Sequence, residues 1–155
     1  VGMNSVLLLN VPPDTRGRLH ETDVERLGEF GSYIGTLFGN EKLIDGEILW
    51  KARSGASREY NVKPDETVNT VMLREEISKG QRVERFMVEG LFDSQWVKLA
   101  EGTTIGSKRL LRFEDVAPSK IRVTIQETRD IANISQVGAY YAPALQGDTL
   151  ARQIR

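Results

Sequence analysis

His20 is the only histidine in the chain, and no cysteine accompanies it. That leaves no Cys–zinc site, no thiol nucleophile and no disulfide. His20 stands just before a helical pattern, where a capping or surface role outranks general-base catalysis. No Gly-x-Ser-x-Gly elbow supplies a nucleophile for it to activate. Glu75 and Glu76 are adjacent carboxylates, but neighbours on a strand face opposite ways and cannot serve one bond. Asp14 and Asp45-Gly46 offer calcium-type oxygens without an acidic cluster at ligand spacing. Gly28, Gly31, Gly35 and Gly39 fall inside or at the end of a helical pattern, not at its start, where a phosphate cradle would need them. The sequence therefore assigns no catalytic residue, no metal ligand and no cofactor. Trp50, Tyr140 and Tyr141 are the candidates for a sugar-stacking surface, each with a flat apolar face and a polar handle. Core packing is the competing role for Trp50. Trp96 follows a hairpin turn in an alternating strand and is expected, with Phe86 and Phe113, to point inward.

Two kinds of element must hold these residues. Val6-Leu7-Leu8-Leu9-Asn10-Val11 is apolar on both faces, as in a strand covered on both sides. Pro12-Pro13-Asp14-Thr15-Arg16-Gly17 stops it with turn residues. A helix begins between His20 and Thr22, with Thr22 and Glu25 spaced for a capping box. Val24, Leu27, Phe30, Ile34 and Leu37 give it one apolar face, and Gly39-Asn40 predicts a left-handed stop. Gly28, Gly31 and Gly35 weaken it and suit a close approach to another element. One strand and one helix bury too little surface to offset ordering about 35 residues at roughly 1–2 kcal/mol each. The unit needs a sheet found elsewhere. From about Arg58 the period changes to two. Residues 57–62, 68–75, 83–90, 96–101, 109–113, 120–127 and 133–141 read as strands, with turns at Phe92-Asp93-Ser94-Gln95 and Ser78-Lys79-Gly80. That spacing indicates an antiparallel sandwich or jelly roll.

The 155 residues carry 21 Lys+Arg and 22 Asp+Glu, a formal charge of −1. A near-neutral chain argues against nucleic acid, whose binding leans on a basic surface. The longest purely apolar run is Val6–Leu9, far short of the roughly 20 residues that span a bilayer, so no membrane helix is expected. The chain opens Val1-Gly2-Met3-Asn4 and runs straight into its apolar strand without a leader pattern. This reads as a trimmed domain or, as the stronger expectation, a C-terminal fragment of a longer protein. The expected division is a strand–helix unit over 1–40, a linker and lean sandwich start over 41–57, a β-sandwich over 58–141 and a tail over 142–155.

The stretch Asn4–Gly17, followed by Asp23-Val24-Glu25-Arg26-Leu27 and Phe30-Gly31, resembles the end of the catalytic barrel in the family 29 glycoside hydrolases, the α-L-fucosidases. Val68–Glu75, Gly80–Val83, Trp96–Gly106 and Lys108-Arg109 resemble the C-terminal sandwich of the same enzymes. Asp45–Trp50 is similar to a shortened opening of that sandwich. The resemblance covers residues 2–141. It implies the last βα unit of a (β/α)8-type barrel followed by a galactose-binding-like β-sandwich. It also implies retaining hydrolysis of terminal α-L-fucose from glycans, by two carboxyl groups that match nothing in this sequence. The implied partners are fucosylated glycans and a missing N-terminal catalytic barrel. Asn4 and Asn10 would flank the catalytic end of the final strand as substrate-proximal residues, with strand and turn hydrogen bonding as their alternative role. The compartment stays open, export of the parent (periplasmic, secreted or lysosomal-like) included. A non-catalytic discoidin-type carbohydrate-binding or adhesion module is the alternative reading.

Overall fold

A computed structural model describes residue 2, residues 7–45 and residues 49–143. Alternating sequence becomes sheet almost throughout. The strands are β1 (Trp50–Ala52), β2 (Ala56–Asn61), β3 (Val68–Glu75), β4 (Val83–Phe92), β5 (Gln95–Gly102), β6 (Arg109–Val116), β7 (Lys120–Thr128) and β8 (Ala132–Tyr140). They pair antiparallel in two four-stranded sheets, ordered β1-β8-β3-β6 and β2-β7-β4-β5. The inner faces meet in one core. Val71, Leu73, Ile134, Val137 and Ala139 come from the first sheet, and Phe86, Val88, Ile121, Val123 and Ile125 from the second. The alternation in Ile121–Ile125 is realised as read, with all three apolar residues fully buried. The β4–β5 turn sets Asp93 and Ser94 at φ 44° and 68°, the left-handed pair that two-residue hairpins favour. Strand β1 was not anticipated. Three residues are too few for period two to declare itself.

The one α-helix among the described residues, α1 (Glu21–Phe38), lies on the outer face of the first sheet. Its second half supplies Tyr33, Leu37 and Phe38 to a second cluster with Met72, Leu110, Tyr140 and Ala142. These sheet residues alternate with the inward set on their own strands, as period two demands. The rings of Phe38 and Tyr140 meet edge to face, 5.3 Å apart. Two terminal expectations are corrected. His20, not Thr22, is the N-cap, its Nδ1 accepting from the N–H of Thr22 at 3.3 Å. Gly39 ends the helix at φ −76°, right-handed, its N–H bonded to the Gly35 carbonyl. A cap needs only to satisfy the orphan groups: His20 does so in place of Thr22, and Gly39 does so without the left-handed conformation.

The other corrections are larger. Residues 7–11 form no strand, and Leu7, Leu8 and Leu9 stand in solvent, Leu8 at 90% exposure. A strand apolar on both faces needs neighbours for its backbone and its side chains, and neither sheet here provides them. Trp96 does not point into the core. Its ring lies on the outer face of the second sheet, under the Arg122 guanidinium at 4.1 Å. The cause is a bulge: the β4–β5 register steps from Val88↔Ala100 to Glu89↔Lys98. That extra residue reverses the inward phase along β5. Leu99 and Ala100 pack inward, and Trp96 faces out. Phe86 is fully buried and Phe113 packs on the core, as expected.

Candidate functional site

Two open clefts flank α1. Leu7, Leu9, Asn10, Val11 and Pro12 on one side, and Asp23, Arg26, Leu27 and Phe30 of α1 on the other, enclose an open cleft of about 410 Å³. A second groove of about 450 Å³ continues from Leu7 and Phe30 along Ile34 to Leu110 and Arg112 of β6. Both walls are mainly apolar. Sequence builds them directly: the turn at Pro12–Gly17 folds the apolar run back against the helix stripe that carries Leu27, Phe30 and Ile34. Such a cleft can accept apolar side chains. It holds no pair of carboxyl groups facing one bond.

Asn10 lines this cleft, whereas Asn4 lies outside the described residues. Trp50 packs against the core from β1, opposite Ile134. Tyr140 is 3% exposed, its ring covered by Phe38, so its face is not open to a sugar. Tyr141 is exposed, and its hydroxyl reaches Asp115 Oδ2 at 3.5 Å. Trp50 pairs with Ile134, and Tyr140 lies six residues further along β8, roughly 20 Å at the rise of a strand. The three aromatics do not converge.

Glu75, Glu76, Asp14 and Glu89 are committed elsewhere. Glu75 is buried, and its Oε1 accepts from the N–H of Arg82 at 2.6 Å and of Val83 at 3.3 Å. Glu76 points away and caps the short 3₁₀ turn Ile77–Lys79 by accepting from the Ser78 N–H. Asp14 is held below the ordinary carboxylate range, first by the Arg16 side chain and then by the Arg18 backbone. Glu89, nearly buried on the outer face of the second sheet, binds Arg122 Nε at 2.8 Å. Among the described residues, no group of three His, Cys, Asp or Glu could hold a metal ion. The Glu89–Arg122–Trp96 stack was missed in the sequence, because the bulge that assembles it leaves no mark in the pattern.

No family model matches the chain. Candidate alpha-L-fucosidase 1 of Oryza sativa subsp. japonica is 31% identical over 169 residues, covering 90% of this chain and 33% of that protein. The crystal structure of a candidate alpha-L-fucosidase from Bacteroides ovatus is 50% identical, with a TM-score of 0.90 over 94% of this chain and 25% of that one. A Ruminococcus gnavus family 29 fucosidase solved with fucose is 26% identical, with a TM-score of 0.79 over 92% of this chain and 34% of that one. The chain thus spans about a third of the length of the curated relatives it matches.

Proposed function

We propose that this chain, a homologue of a C-terminal portion of the family 29 α-L-fucosidases, serves a retaining exoglycosidase that removes terminal α-L-fucose from glycans. The observation that carries the reading is the likeness at 50% identity over 94% of the chain, which takes in residues on both sides of the linker, the turn and helix as well as the sandwich. A free-standing sugar-binding module has no use for an exposed Leu7-Leu8-Leu9 run. In this reading residues 1–40 are the last βα unit of a (β/α)8-type barrel, and the segment from 7 to 11 becomes a strand once its neighbours are present. Residues 41–57 lead into a galactose-binding-like sandwich over 58–141, and 142–155 form a tail. Asn4 and Asn10 then sit near the sugar, at the end of the barrel where active sites lie.

Retention requires two carboxyl groups about 5–5.5 Å apart, one attacking the anomeric carbon and one protonating the leaving oxygen. Both come from the part of the enzyme outside this chain. The test is an assay on an aryl α-L-fucoside. The 155-residue chain is expected to show only background hydrolysis, and the full-length polypeptide to turn over. Turnover by the purified chain that disappears on changing an Asp or Glu within it would overturn the division of labour. An inactive full-length protein would overturn the activity.

A further inference from the structure

The turn between Pro12 and α1 is held from within. Asp14 Oδ1 accepts from the N–H of Arg16 at 2.8 Å and of Arg18 at 3.2 Å, and Oδ2 accepts from Arg16 Nε at 2.7 Å. The Asp14 N–H donates to the Arg18 carbonyl at 2.7 Å, and the Gly17 N–H to the Asp14 carbonyl at 2.9 Å. Gly17, at φ 75°, makes the left-handed step this closure needs. Arg16 is then committed to Glu21 at 2.8 Å, and Arg26 to Glu29 at 2.6 Å. Of the arginines in this unit, Arg18 alone has an exposed guanidinium with no partner among the described residues. A fixed turn bearing one uncommitted guanidinium is a ready donor set of five N–H groups. The turn's backbone is ordered before any ligand arrives, so only the side chain remains to be fixed.

We infer that Arg18 is a specificity residue that donates hydrogen bonds to hydroxyl oxygens of the aglycone of a fucosylated glycan, with Asp14 as its positioning residue. The inference rests on the barrel reading above, in which a turn that follows a strand and precedes a helix lies on the active-site face. Its place directly before α1, in the outer ring of such a barrel, puts Arg18 at the rim. It therefore meets the sugar beyond fucose and not the reacting carbon.

The experiment compares two substrates in the full-length polypeptide, a fucosylated oligosaccharide and a small aryl α-L-fucoside. R18A is expected to raise KM for the oligosaccharide about tenfold, the loss of one charge-assisted hydrogen bond, with kcat little changed. The aryl fucoside should keep its kcat/KM, which also reports an intact fold. R18K, retaining the charge without the planar fork, should recover part of the loss, and D14A should raise the same KM. An R18A protein that loses both substrates equally, or neither, would overturn the inference alone. A wild-type protein inactive on both would overturn the fucosidase reading and this inference with it.

Discussion

Asn69 ties together the ends of three segments with one buried amide. Its Nδ2 donates to Asp115 Oδ1 and to the Ala142 carbonyl, each at 2.9 Å, and its Oδ1 accepts from the Ala142 N–H at 2.7 Å. Replacing Asn69 with Ala strands the Ala142 backbone groups in a buried site, and an unmet buried group costs roughly 1–3 kcal/mol. N69A should therefore lose about 2–3 kcal/mol of stability by denaturant titration; a loss under 0.5 kcal/mol would contradict the geometry. A milder effect follows from Asp14. Its depressed pKa means the folded turn favours the carboxylate, so its ordering effect is complete above the ordinary value of 3.8 and fades as pH falls through the lower folded value. Chemical shifts of the Arg16 and Arg18 amides, followed below pH 4, should report that titration. Little of this was legible in the sequence. His20 announced itself as a cap by position, but the role of Asp14 depends on a closed turn that no spacing rule specifies.

At the scale of elements, the sequence was most informative where burial enforces a period. Seven strands were foreseen, and β3 kept its limits at Val68 and Glu75. It was least informative where an apolar run finds no neighbour in these sheets. The run Leu7–Val11 has the composition of a strand covered on both faces, yet finds no partner in these sheets. Helix α1 shows the same division along its length: Tyr33, Leu37 and Phe38 are anchored on the first sheet, whereas Val24 and Phe30 are exposed. Hydrogen exchange on the isolated chain should therefore be graded. Amides of 7–11 should exchange within seconds and those of 21–28 faster than those of 33–38, with 121–125 slowest, since protection follows buried contacts. The exposed leucines should also bind a hydrophobic dye or drive self-association. Uniform slow exchange across 7–38 in a monomer would show that the unit is complete as it stands.

For the molecule as a whole, the question is whether the sandwich binds sugar or supports the helix above it. The contacts favour support. Tyr140, Met72 and Leu110 face outward from the first sheet, where a solvent-facing strand would carry polar residues, and they are covered by α1. Glu41 extends the join by accepting from the Ala139 N–H at 2.7 Å and the Leu43 N–H at 3.1 Å. Gly138 leaves the room this needs, because a Cβ there would lie 2.5 Å from Glu41 Oε2 and 2.6 Å from the Tyr140 hydroxyl. The outer face of the second sheet has its tryptophan, but Arg122 lies over that ring and is pinned by Glu89. A sugar site needs an open aromatic face with convergent polar groups, and Trp50, Tyr140 and Tyr141 do not assemble one. Titration of the chain with fucose, galactose and a fucosylated oligosaccharide, read by tryptophan fluorescence and NMR shifts, should therefore give no saturable response up to millimolar sugar. Saturable binding abolished by Trp50→Ala or Tyr141→Ala would make the sandwich a sugar-binding module, whereas a flat titration leaves it as the buttress that holds α1 in place.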